Sequence, residues 1–264
     1  MSDKFLSLEN IEKRFPIPGK DDYIAVTDVN LEIKKNEIIS IIGHSGCGKS
    51  TLLNIISGLD AQTDGNIILE NKEIKGPGPD RAVVFQNHSL LPWLSVYQNI
   101  EMAVKKVMPS LSSSELRERV EKFVSMVNLD HAKDKLPGEI SGGMKQRVGI
   151  ARALSIKPKV LLMDEPFGAL DSLTRANLQE HLMRIQQNVK NTVIIITHDI
   201  DEAVLLSDRV IMMTNGPQAT IGEILEVDLP HPRERVSLQH NEEYQRCREA
   251  ILSFLYEKYA KEEV

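Results

Sequence analysis

The sequence predicts an α/β fold in which buried strands alternate with helices. Apolar runs of strand length occur at residues 38–42, 160–163 and 193–196, with a serine as the one polar interruption. Runs without regular polar alternation are typical of parallel strands that are buried on both faces. Segments with apolar residues every three or four positions follow these runs, which is the spacing of one helix face. This alternation of patterns is typical of βαβ units.

The composition is that of a globular chain and excludes several classes of protein. A length of 264 residues is enough for one or two domains. Of these residues, 41% are hydrophobic and 27% are charged, as in ordinary globular proteins. No apolar run approaches the ~20 residues of a membrane-spanning helix, and the first residues show no secretory signal pattern. Two cysteines cannot form a disulfide framework, and a net charge of −6 argues against broad nucleic-acid binding. We therefore expect no membrane span, secreted disulfide scaffold or basic DNA-binding module.

The first part of the chain, residues 5–42, is predicted to form short strands with turns between them. Within residues 5–42, Val29, Leu31 and Ile33 alternate with polar residues, as in a half-buried antiparallel strand. Proline and glycine at positions 16, 18 and 19 interrupt the pattern and predict a loop. A helix is expected over residues 50–57, with Gly58 as its stop, and short strands return over 66–86.

Helices are predicted from about Gln98 onward. Ser112, Ser113 and Ser114, followed by Glu115, are predicted N-capping serines, because apolar residues with helical spacing follow them up to position 127. Further helices are expected over 143–155 and 174–189. The tail, residues 231–264, contains an amphipathic pattern formed by Tyr244, Cys247, Ile251, Leu255 and Tyr259. Its apolar face is expected to pack on the core of this chain, and docking of a partner is the alternative.

A glycine-rich turn between the strand at 38–42 and the next helix matches the P-loop pattern. Its residues are Gly43, His44, Ser45, Gly46, Cys47, Gly48, Lys49, Ser50 and Thr51. Such a loop directs backbone N–H groups at phosphate, while Lys49 supplies a charge for the β- and γ-phosphates and Ser50 a hydroxyl for Mg²⁺. His44 and Cys47 are interpreted as spacers. The position of Cys47 beside a helix N-terminus also favours a reactive, alkylation-prone thiol.

Two consecutive carboxylates follow the buried strand at 160–163. Asp164, at the strand tip, is predicted to orient Mg²⁺, and Glu165 to polarise a water in line with the γ-phosphate. Together with the P-loop, this pair predicts an ATP- or GTP-hydrolysing enzyme.

Between these motifs the chain reads Ile140-Ser141-Gly142-Gly143-Met144-Lys145-Gln146-Arg147. With this segment, residues 5 to about 230 resemble the nucleotide-binding subunit of ATP-binding cassette (ABC) transporters. The resemblance implies a P-loop NTPase of the ABC ATPase type, with a RecA-like core, an antiparallel β-subdomain and an inserted helical subdomain. It implies a core in residues 1–86 and 158–230, a helical subdomain in 87–157, and a helical extension in 231–264.

The resemblance also implies roles for single residues. Ser141, Gly142 and Gly143 resemble the signature motif, which contacts the γ-phosphate bound by the other subunit. The family's usual leucine and final glutamine are here Ile140 and Met144. Gln86 is implied to be a ligand of Mg²⁺ and water, and His198 to contact the γ-phosphate. Asp171 is implied to lie at the dimer seam. Phe15 is implied to stack on adenine, with Tyr23 as the alternative.

A narrower likeness lies in residues 76–81, 85–93, 213–217 and 221–224, which resemble importers of nitrate, bicarbonate, sulfonates and taurine. It implies an ATPase that uses ATP and Mg²⁺ and powers uptake of a small anion. Nitrate or nitrite is the preferred anion. Bicarbonate, sulfonate or taurine, and cyanate are the alternatives. The implied partners are a second ATPase subunit (a copy, or a longer paralogue with a fused solute-binding-like domain), membrane permeases and, indirectly, a periplasmic or lipid-anchored solute-binding protein. The implied location is the cytoplasmic face of the plasma membrane.

Two other classes remain as alternatives. A soluble ABC ATPase of DNA repair or translation is disfavoured, because no heptad arms separate Lys49 from Ser141 and the chain has one cassette. A non-catalytic nucleotide sensor is disfavoured by the presence of Glu165 and His198. The apolar segment from His88 to Tyr97, with Trp93, is interpreted either as a buried core turn or as a surface that docks a permease helix.

Overall fold

A computed structural model describes residues 4–87 and 89–258 of the chain. These residues form two compact units. The first unit contains the chain up to Gly78 and the chain from Thr192 onward, and the second is Pro79–Asn191. The predicted boundaries at residues 86, 157 and 230 stay a prediction. Among the residues named above, His88 and Tyr259 lie outside the described part of the chain.

The strands, in chain order, are β1 (Lys4–Phe15), β2 (Tyr23–Lys34), β3 (Ile38–Ile42), β4 (Asp64–Leu69), β5 (Lys72–Glu73), β6 (Arg81–Val84), β7 (Val160–Asp164), β8 (Thr192–Ile196), β9 (Arg209–Met213) and β10 (Ile221–Glu226). The helices are α1 (Lys49–Ser57), α2 (Val96–Val107), α3 (Ser113–Met126), α4 (Gly142–Ser155), α5 (Ser172–Val189), α6 (Ile200–Leu206), α7 (Arg235–Leu238) and α8 (Glu242–Ser253). No helix in the described ranges is both long and apolar enough to cross a bilayer.

The first unit contains an antiparallel sheet with the strand order β2-β1-β4-β5. Along β2, the side chains of Val29, Leu31 and Ile33 are buried while their polar neighbours are exposed, as predicted. Strands β1 and β2 are each 12 residues long, however, whereas the sequence predicted short strands. Their pairing contains several register shifts, which let a long hairpin bend while its residues change face.

The same unit contains parallel strands that bring several loops to one sheet edge. Strand β3 lies between β8 and β9 and pairs in parallel with both, while β10 pairs antiparallel with β9. The isoleucines of β3 at positions 39, 41 and 42 are fully buried, which confirms the predicted buried central strand. Helix α1 ends at Gly58, also as predicted.

The second unit combines a strand pair with a group of helices. Strands β6 and β7 pair in parallel, and helices α2, α3 and α4 pack on one another. Of the three candidate capping serines, Ser112 caps α3 in a reciprocal capping box with Glu115, so the prediction of a capping serine here is confirmed. A second capping box, between Ser95 and Gln98, begins α2. Both helices therefore have their first turn fixed by local side chains.

The tail of the first unit forms α8, which continues into a π-helical turn over Phe254–Lys258. Cys247, Ile251 and Leu255 of the predicted apolar stripe are buried. Helix α8 packs on α6. The stripe therefore packs on this chain's own core, as expected.

Candidate nucleotide-binding and catalytic site

The predicted phosphate loop connects β3 to α1 in the first unit. Gly46 and Gly48 have φ angles of 83° and 88°, in the left-handed region that side chains disfavour. A Cβ atom on Gly48 would lie 2.5 Å from Val26 Cγ1. Glycine is therefore required at position 48 by both conformation and space, and Gly48 is the N-cap residue directly before α1.

Lys49 directs its charge into this loop. Its side chain is buried, and Nζ donates hydrogen bonds to the carbonyl oxygens of Gly43 at 2.7 Å and His44 at 2.9 Å. The N-terminus of α1 adds the positive end of the helix dipole at the same place. This loop therefore concentrates positive charge and backbone donors, which suits a bound phosphate.

The remaining loop residues divide into exposed and buried positions. Ser45, Gly46 and Ser50 are exposed, so their polar groups are accessible to a ligand. The Cys47 side chain is only 1% exposed and packs beneath the loop, with Sγ 3.7 Å from Lys49 Nζ. Burial of this kind argues against the expected alkylation-prone thiol, because a reagent needs access to the sulfur.

Both aromatic candidates for adenine stacking lie at the loop end of the β1–β2 hairpin. Phe15 and Tyr23 are directly opposite each other in the antiparallel pairing and are 39% and 40% exposed. Lys13 Nζ lies 5.1 Å from the centre of the Phe15 ring. The Tyr23 hydroxyl and the Gly46 carbonyl oxygen both lie within 4 Å of the position that a Cβ on Gly216 would take. Tyr23 thus lies near the phosphate loop, and both residues stay candidates.

His198 follows β8 at the edge of the sheet where the phosphate loop follows β3. The two strands are parallel neighbours, and Thr197 N donates to Ile41 O over 3.3 Å. His198 itself is exposed, and Asp199 directly after it caps α6 by accepting from Glu202 N at 3.0 Å. The fold of the first unit therefore brings the phosphate loop and His198 to one edge, where ligands of α/β sheets bind.

In the second unit, the structure brings Gln86 and Glu165 into contact. Val84 of β6 pairs with Met163 of β7, and the chain beyond these residues carries the two polar side chains. Gln86 Nε2 donates a hydrogen bond to Glu165 Oε2 over 3.3 Å. Glu165 has a φ angle of 43°, a left-handed conformation that is uncommon for residues other than glycine. Such strained residues cluster at functional sites.

Asp164 is the last residue of β7 and is partly exposed. Its carboxylate is therefore accessible at the carboxyl end of this parallel strand pair, where the sequence predicted it.

The signature-like segment begins α4. Ser141 is exposed and caps the helix, with its Oγ accepting from Met144 N at 3.3 Å. A Cβ on Gly143 would lie 2.4 Å from Thr174 Cγ2, so this glycine is required for the packing of α4 on α5. A Cβ on Gly142 would meet no atom closer than 3.8 Å, so its backbone is open to close approach. Only Ser141 and Gly142 therefore have the exposure that a ligand contact requires.

Asp171 has a structural role that the sequence did not predict. Its carboxylate caps α5 by accepting a hydrogen bond from Thr174 N at 3.0 Å. This hydrogen bond lowers the pKa of the Asp171 carboxyl below its usual value. The predicted location at a dimer seam stays a prediction.

Three polar residues in the second unit were missed in the sequence: Asn99 and Gln146 are buried, and Arg152 is partly buried. Asn99 holds the segment 89–95 through main-chain atoms: its Oδ1 accepts from Leu91 N at 2.9 Å, and its Nδ2 donates to Leu94 O at 2.9 Å. Arg152 of α4 donates to Ser89 O at 2.7 Å in the same segment. Gln146 is buried, and neither amide atom has a hydrogen-bond partner among the described residues. Single polar residues of this kind have no local pattern that marks them.

The segment fixed in this way exposes Trp93. This side chain is 69% exposed, and the adjacent Pro92 is also exposed. Of the two interpretations of the segment, the buried core turn is therefore wrong for Trp93. An exposed aromatic beside partly exposed leucines is instead typical of an interaction surface.

Comparison with known proteins decides the family. Residues 26–168 match the family model described as ABC transporter. The nitrate transport protein NasD of Klebsiella oxytoca is 57% identical over 97% of this chain and 98% of its own length. The chain belongs to the ABC transporter family.

Two further matches extend this result. The bicarbonate transport ATP-binding protein CmpC of Synechocystis sp. is 57% identical over 95% of this chain, which spans 38% of that protein. An ATP-binding cassette whose dimeric structure was solved in a post-hydrolysis state with ADP and Pi has a TM-score of 0.73 at 33% identity. That match covers 84% of this chain and 98% of the solved chain. The predicted family, fold class and ATPase class are confirmed, and the roles of single residues stay predictions.

Proposed function

We propose that this chain hydrolyses ATP to ADP and phosphate and thereby powers import of nitrate or nitrite. The observation that carries the proposal is the 57% identity with the nitrate transport protein NasD along almost the whole of both chains. Bicarbonate is the second candidate, because the bicarbonate transport protein CmpC is equally identical over the part that aligns. A soluble role in DNA repair or translation has no support among these relatives.

In the proposed mechanism, the phosphate loop binds ATP and Glu165 acts on the water. Lys49 and the loop N–H groups hold the phosphates, which the buried position of the Lys49 ammonium supports. Glu165 accepts a proton from the attacking water, which then bonds to the γ-phosphorus as the bond to the ADP oxygen breaks. The hydrogen bond from Gln86 orients the Glu165 carboxylate. His198 donates to the γ-phosphate.

The residues proposed for Mg²⁺ suit that ion by their chemistry. The Ser50 hydroxyl, the Gln86 amide oxygen and the Asp164 carboxylate are oxygen ligands, which this cation prefers. Within the described ranges no three His, Cys, Asp or Glu side chains cluster as a metal site. A site of few protein ligands is typical of Mg²⁺ held largely by phosphate oxygens and water. When bound, the ion would neutralise charge on the β- and γ-phosphates.

A second ATPase subunit completes the proposed site. Ser141 and Gly142 would contact the γ-phosphate bound by that subunit, through the hydroxyl and the N-terminus of α4. Their exposure supports this role. Asp171 would lie at the seam between the subunits. The second subunit is either a copy of this chain or a longer paralogue with a fused solute-binding-like domain.

The segment 89–95, with Trp93 exposed, is the proposed contact with a membrane permease. A tryptophan is a frequent hot spot in such interfaces, worth about 2 kcal/mol or more on truncation. Gln86 lies three residues before this segment in the chain. Movement of Gln86 in response to the γ-phosphate would therefore be passed to the permease through the segment. In this proposed assembly the chain lies at the cytoplasmic face of the membrane. A solute-binding protein on the opposite side of the membrane delivers the anion to the permease.

The transported anion is tested by uptake in a strain that lacks this gene. Cells complemented with the wild-type gene should take up labelled nitrate, while cells carrying the Glu165→Gln variant should not. Labelled bicarbonate uptake should be the same in both strains. Loss of bicarbonate uptake with normal nitrate uptake would instead establish the second candidate.

A further inference from the structure

The C-terminal segment of residues 242–258, formed by α8 and the π-helical turn after it, contacts the phosphate loop directly. His44 Nε2 lies 2.9 Å from the carbonyl oxygen of Leu255. Because a carbonyl oxygen can only accept, His44 Nε2 carries the proton and donates it in this bond. The His44 ring also lies edge-on to the ring of Tyr256, with 6.5 Å between the centroids and 80° between the planes. A variable position of the loop is thus bound to the tail at two adjacent residues.

The same segment contacts the helix that follows His198. Tyr244 donates from its hydroxyl to Asp201 Oδ1 at 3.0 Å, and Arg248 donates from Nε to the same oxygen at 2.5 Å. Asp201 lies in the first turn of α6. Two side chains of α8 therefore hold the turn that begins directly after His198 and its neighbour Asp199.

Between these two contacts, the segment is anchored in the core. Cys247, Ile251 and Phe254 are almost fully buried. A Cβ on Gly222 of β10 would lie 2.7 Å from Phe254 Cζ, so the ring lies directly against that strand. Close packing of this kind transmits displacement instead of absorbing it.

We propose that residues 242–258 form a positioning element that couples the phosphate loop to helix α6. His44 is the positioning residue at the loop end, and Asp201 is its counterpart at the helix end. The inference rests on the proposed binding of ATP by this loop. In this coupling, ATP stabilises the loop in the conformation that binds Leu255 and thereby stabilises the tail. Because coupling between two sites is reciprocal, a change that displaces the tail weakens nucleotide binding to the same extent.

The experiment measures amide hydrogen exchange in peptides from residues 242–258, with and without ATP, in the full chain. In the wild type, ATP should slow this exchange, because the loop and the tail are bound together. The His44→Leu variant removes the donor and should lose the slowing, with the Kd for a fluorescent ATP analogue raised about 5-fold or more. The His44→Gln variant keeps an N–H donor and should restore part of both effects.

Two further variants make the experiment specific. Glu249→Gln changes an exposed residue of the same helix and should leave the exchange and the Kd as in the wild type. Tyr256→Ala removes the ring contact at a side chain that is 68% exposed, so the variant should fold and show weaker slowing.

If the wild-type chain binds the ATP analogue but the amide exchange of residues 242–258 does not change, this inference is overturned and the proposed function stands. A wild-type chain that binds no ATP analogue would overturn the proposed function, and this inference with it.

Discussion

The side-chain amide of Gln86 donates a hydrogen bond to Glu165 Oε2 over 3.3 Å, although the two residues are 79 positions apart in the chain. They meet because β6 and β7 are parallel neighbours and each residue follows the end of one strand. The bond holds a strained carboxylate residue in one orientation. It also connects the proposed general base to the segment that exposes Trp93.

The Glu165→Gln variant should bind ATP and lose most of its hydrolysis. An amide cannot accept the proton of the attacking water, and general base catalysis is worth roughly 10²–10⁴-fold in rate, or about 3–5 kcal/mol of barrier. The measurement is steady-state ATP hydrolysis by the assembled complex, with nucleotide binding measured separately. Glu118→Gln, at an exposed glutamate of α3, is the control and should hydrolyse ATP at the wild-type rate. Equal rates for Glu165→Gln and wild type would refute the proposed role.

Ser141→Arg should block hydrolysis of the nucleotide held by the partner subunit and leave nucleotide binding by this chain intact. The bulky cation would occupy the position where the γ-phosphate of the other subunit is expected. Because Ser141 also caps α4, the change should cost about 1 kcal/mol of unfolding free energy. Ser141→Ala loses the same cap without added bulk and separates the two effects. Loss of nucleotide binding by the isolated Ser141→Arg chain would indicate a purely structural serine.

Trp93→Ala should reduce co-purification with the permease and uncouple transport from hydrolysis. Since the side chain is 69% exposed, the melting temperature and soluble ATP binding should stay at wild-type values. A loss of about 2 kcal/mol in binding corresponds to roughly a 30-fold weaker complex. Val236→Ala, at another exposed apolar residue, is the matched control. Normal assembly and transport by Trp93→Ala would place the docking surface elsewhere.

Arg233→Met should strongly destabilise the first unit. The guanidinium is buried and donates to the carbonyl oxygens of Val204 and Ser207 at 2.8 Å and of Leu229 at 2.9 Å. Methionine fills similar space but leaves these carbonyls without their donor, at a cost of about 3 kcal/mol or more. Urea unfolding measures the change, and Arg233→Lys should lie between methionine and wild type. A loss below about 1 kcal/mol for methionine would contradict this role.

Glu243 should contribute to stability in a pH-dependent way. Arg246 hydrogen bonds to both carboxylate oxygens at 2.6 Å and lowers the pKa of Glu243 from 4.5 to about 2. The folded state therefore binds this proton less readily than the unfolded state. The stabilisation is present above pH 4.5 and is lost as the pH falls towards about 2. Because the pair is near the surface, its size should be about 0.5–1 kcal/mol.

The measurement is urea unfolding of the wild type and of Glu243→Gln at pH 7 and pH 3. The difference in unfolding free energy between the two proteins should shrink at the lower pH. Glu249→Gln serves as the control for a lost exposed charge. A difference that is the same at both pH values would show that the ion pair does not stabilise the fold.

The features that were predictable from the sequence carry a local pattern. The strand at 38–42, the loop 43–51 and the cap at Ser112 are each encoded within a few consecutive residues. The length of β1 and β2 was not predictable, because register shifts in their pairing break the alternation along the chain. Helix α6, with seven residues, is too short to show helical periodicity.

For the site, the types and order of the residues were sufficient to predict the candidate residues. They did not predict which tertiary contacts fix the side chains of those residues. The hydrogen bond from Gln86 to Glu165 and the contact of His44 with Leu255 join residues that are far apart in sequence. The carbonyl groups bound by Asn99 and Arg233 are present in every residue, so nothing in the sequence distinguishes them as partners. Such contacts depend on the tertiary fold.

Asn99 fixes the backbone conformation of the segment 89–95 without contacting the polar groups of its side chains. It binds the main-chain atoms of Leu91 and Leu94, and these atoms are the same whichever side chains the segment carries. If this segment docks the permease as proposed, substitutions at the exposed position 93 alter which partner is recognised while the backbone conformation persists. On that proposal, a duplicated gene for this chain would need few surface changes to pair with a different permease, and its ATP-binding residues would stay unchanged.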